Sequence, residues 1–468
     1  MNKTLLIKTA VIAVIAIILL LVLESVSGTI WERKSFQSVA KSSVAKSWTG
    51  AQNVFGPIIV VPYTIKWKRD EWSDDGKRKI VRHKIREGKK YLLATTTQMQ
   101  ASIATDIRYQ GIYQFPVYST DLKINGHFSA ESIAEQIHLN LPSQNAKISY
   151  AQPYFTLAVS DARGINSVPI LDLNGKEYAF KAGSQLSFMD NGIHAPLPKD
   201  FIQSIKKQKD FPFSLNLSLR GMDEIKFYPS ALNYQLSLNS PWQHPKFSGD
   251  FLPLSRTISD QGFDAQWEVS SFASNMEEKI ALCEVNKCEE VLKGNFGVEF
   301  IEPVNVYLQS ERSLKYGFLF IVLIFVAFFL FEVLKKLPIH PIQYGLVGLA
   351  IALFYLLLLS LSEHLNFLLS YFIAALGSVT LISFYLVNVL RNAKTAGLFA
   401  GLLTLLYFTL YIIVSAEDFA LLMGSTLVFI VLAVVMMTTR NIDWYKVEGG
   451  LKDSAVKNES LPNRISEP

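Results

Sequence analysis

The distribution of long apolar runs constrains this chain more than any other feature. Leu5–Val26 is one such run, and from Tyr316 to Thr439 the sequence is almost continuously apolar apart from short charged interruptions. A bilayer core about 30 Å thick needs roughly 20 apolar residues at a helical rise of about 1.5 Å each. Leu5–Val26 meets that length, as do Tyr316–Leu334, Ile342–Leu361, Asn366–Leu390, Thr395–Ser415 and Phe419–Thr438. Backbone groups in lipid must be satisfied internally, so each run reads as a helix and six spans are expected. The first run competes with a cleaved signal peptide. It is longer than a typical signal core, and Ser25-Val26-Ser27 is a poor cleavage match, which favours an uncleaved anchor.

Orientation follows from Lys and Arg in the short loops, because cationic loops resist translocation. Lys3 and Lys8, Lys335 and Lys336, Arg391 and Lys394, and Arg440 and Lys446 all fall on one side of a six-span chain. The loops Ser362–Leu365 and Ala416–Asp418 fall on the other, with Glu363, His364, Glu417 and Asp418 but no Lys or Arg. Both termini are therefore expected in the cytoplasm, with residues 28–313 outside it. The expected division is an anchor at 1–27, an exported domain at 28–313, a five-helix bundle at 314–439 and a cytoplasmic tail at 440–468.

The exported segment changes period along its length. Gly28–Thr49 spaces Ile30, Phe36, Val39 and Val44 as a helix does, which predicts an extension of the first span; an amphipathic surface helix is the alternative. Beyond it, Phe211–Leu219 and Ala231–Leu238 alternate apolar and polar residues, the pattern of strands with one face in a core. Pro57–Tyr63 and Val298–Leu308 read as further β-rich runs. Asn125-Gly126, Asn174-Gly175, Asp190-Asn191-Gly192 and Asp260-Gln261-Gly262 read as punctuation between strands. The fold class is thus an α+β membrane protein: six transmembrane helices, with a large, mainly β, sandwich-like domain inserted between the first and second. Asp70–Lys90 is dense in both charges and reads as a solvated hairpin or loop, with a partner-binding loop as the alternative. The net charge of +5 is small for 468 residues and argues against a nucleic-acid surface.

Few residues suggest chemistry. Asp161 and Arg163 precede Gly164 in a turn-like segment and suit a local ion pair. Trp242, His244, Gly249 and Asp250 combine aromatic and turn residues, which suits a recognition surface or the sealed edge of a β-core. Cys283 and Cys288 enclose four residues; a disulfide and free thiols are both open, while zinc would need more ligands than lie nearby. Glu332, His340, Glu363 and His364 lie near span ends, where snorkelling to the interface is the simple account and an ion path the sharper one. Gly397-Leu-Phe-Ala-Gly401 and the Gly345, Gly348, Ala350 face permit close helix packing and leave a homo-oligomer open. No Walker loop, dinucleotide fingerprint, HExxH or Gly-x-Ser-x-Gly elbow occurs, so neither cofactor nor metal is expected.

Several stretches resemble the CreD-type inner-membrane proteins of Gram-negative bacteria, described as cell-envelope integrity or colicin-tolerance proteins. They are Val159-Ser-Asp-Ala-Arg-Gly-Ile165, Ser240-Pro-Trp-Gln-His-Pro-Lys-Phe-Ser-Gly-Asp-Phe-Leu-Pro253, Ile339–Ala350, Phe354–His364 and Thr439–Tyr445. The resemblance implies the inner membrane as location, a periplasmic exported domain, an envelope role and, in some members, control by a two-component system. It implies no catalytic residue. A non-enzymatic envelope protein with the periplasmic domain as its recognition surface is therefore expected, touching the lipid bilayer and an unknown envelope component. A transporter or channel through the C-terminal helices is the alternative.

Overall fold

The computed structural model describes residues 3–72, 78–205, 209–284, 287–301, 306–335, 339–390, 393–416 and 420–440. The loop charges Lys336, Arg391, Glu417, Asp418 and Lys446, and the tail beyond Arg440, lie outside them. The chain forms two compact units, Met1–Ser38 with Val304–Pro468, and Val39–Pro303.

Five helices in the first unit are long and apolar enough to cross a membrane, or up to six spans if one bent pair counts as a span. The first, α1, runs unbroken from Lys3 to Ser47, so the helical spacing of Gly28–Thr49 does continue the first span. The bent pair is Val306–Lys315 with Gly317–Glu332, which meet at 43°. Pro341–Ser362, Phe367–Leu390, Ala393–Ser415 and Ala420–Thr439 complete the set. Val298–Leu308 is corrected by this arrangement. The strand Phe296–Phe300 covers its start, whereas Val306 onward is helical and buries Tyr307, Ser310 and Ser313 at helical spacing. β propensity lost there to the period of the buried face.

The second unit is a large sheet domain whose sixteen strands, among the described residues, are continuously paired. Three long strands organise it: β1 (Gln52–Trp72), β2 (Lys79–Gln110) and β3 (Tyr113–Ser129). Up to Leu93, β2 pairs with β1; from Thr96 it pairs with β3 and, in parallel, with Ala231–Ser240. One strand thus passes from one layer into the other. Aromatic side chains join the layers across a common core, with Phe155 and Phe213 centroids 5.5 Å apart and Tyr234 and Phe296 5.9 Å apart.

Burial explains the sequence patterns. Asp210–Met222 and Ala231–Ser240 bury alternate residues, as their periodicity predicts. Phe55–Val61 instead is buried continuously, because Ile59 and Val61 enter the main core while Phe55, Ile58 and Val60 enter a second core containing Met276 and Ile280. Asn174-Gly175 does form a tight turn, both residues having positive φ, between Ile170–Leu173 and Lys176–Ala179. Asn125-Gly126 does not. Gly126 lies inside β3, where a Cβ would sit 2.2 Å from the Thr96 carbonyl oxygen and 2.5 Å from the Phe213 ring, so glycine marks a close approach there.

Candidate functional site

The charged segment near Asp70 is a β-hairpin arm. β1 and β2 pair from Trp67↔Lys84 to Trp72↔Lys79, beyond the last pairing of β1 with Lys147–Tyr150 at Lys66. Residues 66–90 hold eleven Lys and Arg against five Asp and Glu, an excess greater than the net +5 of the whole chain. Strand alternation sorts them onto two faces. On one, Glu71 gathers Lys84, Arg82 and Arg69 at 3.2, 3.5 and 3.8 Å, and the Lys84 hydrogen bond holds its carboxyl below the usual range. The other carries Lys66, Lys68, Lys79, His83 and Asp70 beside the exposed Trp72, Val81 and Ile85. The first face gathers three cations around a single carboxylate. The second combines apolar surface with cations, a composition suited to an anionic, partly apolar partner.

The Asp161 and Arg163 pair performs a structural task. Arg163 donates Nη2 to Asp161 Oδ2 at 2.6 Å and Nε to Oδ1 at 3.0 Å, and it also donates to the Lys46 and Ala45 carbonyls at 2.5 and 3.3 Å. Those carbonyls end α1, where a cation is favoured by the helix dipole and the unpaired oxygens. The buried Gln52 amide ties the same turn down by donating to the Asp161 and Arg220 carbonyls at 3.0 and 2.8 Å. Trp48 is stacked between the Arg108 and Arg220 guanidinium groups at 4.7 and 4.8 Å, and Lys41 pairs with Asp223 at 3.2 Å. Arg163 holds the Asp161 carboxyl below the ordinary range, while burial raises that of Asp223 against the opposing pull of Lys41.

Trp242 and His244 meet at one edge of the sheet. The Trp242 indole donates to the His244 and Ile301 carbonyls, each at 3.2 Å, and packs edge-on against Phe300. Gly249 has φ +103° and lies against the Asn295 carbonyl, to which the Asp250 amide donates at 2.8 Å. Cys283 and Cys288 are joined as a disulfide with Cα atoms 4.0 Å apart, closing the end of the Met276–Cys283 helix beside the second core.

The membrane-edge residues separate into two groups. Glu332 is buried, bonded to the Lys8 ammonium of α1 and, at 2.7 Å, to the Tyr344 hydroxyl; Lys8 also donates to the Ile339 carbonyl at 2.6 Å. Glu363 accepts from Tyr307 at 3.2 Å and faces Arg33 of α1 at 3.4 Å. Lys8 and Arg33 are 25 residues apart on one helix, roughly 37 Å, so the two carboxylates do not share a cavity. Snorkelling therefore does not describe Glu332, which turns inward to a partner. His340 caps Pro341–Ser362 through a reciprocal capping box with Gln343, and His364 follows the other end of that helix. Among the described residues, no group of three His, Cys, Asp or Glu could hold a metal ion. The sequence reading missed Lys8 as a partner and the two-faced character of the arm. The alternation of Lys66, Lys68, Asp70 and Trp72 could have revealed the latter.

Five or six lipid-length helices together with a large sheet domain define a multi-pass membrane protein. The chain belongs to the CreD family: the family model described as inner membrane protein CreD matches residues 4–445. It is 33% identical over 431 residues to the inner membrane protein CreD of Escherichia coli strain K12, covering 92% of each chain. Among solved structures, a mutant M1 zinc metallopeptidase of Deinococcus radiodurans bound to a Tyr-Ser-Ala substrate is 8% identical, covering 44% of this chain and 42% of its own. Its TM-score of 0.20 carries no argument about fold or function.

Proposed function

We propose that this chain is a non-enzymatic inner-membrane protein of the cell envelope that serves envelope integrity or a stress response, colicin tolerance included. Six spans leave both termini in the cytoplasm and residues 28–313 in the periplasm, the orientation that the loop charges favour. Recognition is assigned to the exported domain and, within it, to the arm face built from Lys66, Lys68, Trp72, Lys79, Val81 and Ile85. The observation that carries this reading is the exposure of Trp72 and Ile85, 62% and 61%, among cations not gathered around Glu71. Exposed apolar side chains grouped with cations, Lys79 lying 5.8 Å over the Trp72 ring, favour an anionic envelope component with apolar surface.

A photo-reactive residue at position 72 or 85 in living cells tests this. The expected outcome is a discrete adduct, identified by mass spectrometry, that is lost when Lys66, Lys68 and Lys79 are changed to Glu. The same adduct pattern from position 168, an 89% exposed valine outside the arm, would sink the assignment. Saturable solute flux through proteoliposomes, abolished by Glu332→Gln, would instead favour the transporter.

A further inference from the structure

The sheet domain carries a second exposed surface, opposite in charge to the arm. The turn Ser271–Ser274 follows the strand Gly262–Ser270 and is capped at both ends, by the Ser270 hydroxyl, which accepts from the Ala273 amide, and by Asn275 in the left-handed region. Ser271 and Ser274 take its buried positions, which turns Phe272 outward until it is 96% exposed. Leu254, 77% exposed, and Leu232 lie beside it, and Glu268 and Glu277 complete the wall of a half-open groove of about 630 Å³. Glu268 accepts one long hydrogen bond, from Gln235 at 3.5 Å, and neither carboxylate belongs to an ion pair among the described residues.

The groove is anionic and apolar where the arm face is cationic and apolar. Two surfaces of one chain thus match in sign, and each leaves large apolar side chains in water. The arm cannot reach the groove of its own chain. Asn233 in the groove pairs with Thr96 of β2, whereas Trp72 pairs with Lys79, seventeen residues earlier on that strand and roughly 56 Å along it. The ladder between β1 and β2 is unbroken from Ile58↔Leu93 to Trp72↔Lys79, so the arm is held pointing away. The occupant that fits both surfaces is therefore a second copy.

We propose that two copies of the chain exchange arms. Trp72, Val81 and Ile85 of one copy cover Phe272 and Leu254 of the other, while the arm lysines face Glu268 and Glu277. A two-fold axis makes the contact twice and leaves no arm free. This rests on the assignment of recognition to the arm and names its anionic, partly apolar partner.

The test uses the purified full chain in liposomes, with no other protein present and a photo-reactive residue at position 72. Irradiation should give a covalent dimer whose cross-linked peptides join position 72 to the segment 252–277. Glu268→Lys together with Glu277→Lys should cut the yield about fivefold, the scale of two ionic contacts at an interface rim. Mixing that variant with a copy that carries Lys66→Glu, Lys68→Glu and Lys79→Glu, and the only photo-reactive residue, should restore the dimer through the reversed charges. A purely structural loss would not be restored. Monomer alone in liposomes, beside an adduct with another molecule in cells, would overturn the exchange and leave the arm assignment standing; no discrete adduct in either setting would overturn both. A dimer joined outside the groove, or one indifferent to the charge changes, would also overturn the exchange. Peptide mapping on the chain with its native groove decides the matter even if a charge variant fails to fold.

Discussion

Asp161 and Asp223 both lie beside the last turns of α1, yet their surroundings act on them in opposite senses. Arg163 lowers the folded pKa of Asp161, so its stabilisation is present above the unfolded carboxylate value and is lost as pH falls through the lower folded value. Burial raises that of Asp223, so its contribution is full below the unfolded value and is lost as pH rises through the folded one. At neutral pH, Asp161→Asn should therefore lower the thermal unfolding midpoint of the sheet domain in the intact chain, by an equivalent of about 0.5 to 1 kcal/mol. Asp223→Asn should leave the midpoint unchanged or raise it. Differential scanning fluorimetry at pH 7 and pH 4 checks both signs, and a parallel fall for the two variants would refute the assignment. Asp161 and Arg163 were readable as a pair from their spacing. The carbonyls of Ala45 and Lys46 were not, because backbone acceptors more than a hundred residues away leave no trace in side-chain pattern.

At the scale of elements, legibility depended on whether a pattern had one physical cause. Phe211–Leu219 alternates because one face is buried, and it is a strand. Phe55–Val61 lacks alternation because two cores claim opposite faces, and Asn125-Gly126 imitates a turn because a neighbouring ring needs the space of a side chain. The alternation of Lys66, Lys68, Asp70 and Trp72 marks one face of β1 in the sequence itself, but which residues of β2 share that face required the pairing of Asp70 with Val81 and Lys66 with Ile85. Since Trp72 and Ile85 are exposed, changing each to Ser should alter stability by less than about 0.5 kcal/mol while weakening photo-adduct formation at a neighbouring arm position. A large loss of stability would mean that the face is structural. The Cys283–Cys288 disulfide suits an exported domain. Alkylation followed by mass spectrometry of unreduced protein should find neither thiol modified, and two labelled thiols would exclude the bridge.

The whole molecule is most legible where a single length scale governs it, which is why runs of lipid length located the helices without help from any partner. Long-range pairing is the opposite case: Lys8 and Glu332 are 324 residues apart, and each alone looks like an ordinary residue near a span end. Removing one member should be costly because the other charge stays buried. Glu332→Ala should destabilise the helical unit by about 3 kcal/mol in detergent unfolding, and the double change Lys8→Met with Glu332→Leu should recover part of it. Additive losses would show that the pair is not coupled. The same separation has a consequence for biosynthesis. At about 5 to 20 residues per second, roughly 15 to 65 s pass between synthesis of Lys8 and of the carboxylate that receives it. Through that interval α1 waits in the bilayer with its cation unanswered, while Gly348, which a Cβ would drive to 2.2 Å from Leu19, has yet to be made. The helices that finally receive the first one emerge from the ribosome only after the sheet domain has left it, so the Lys8–Glu332 pair closes last.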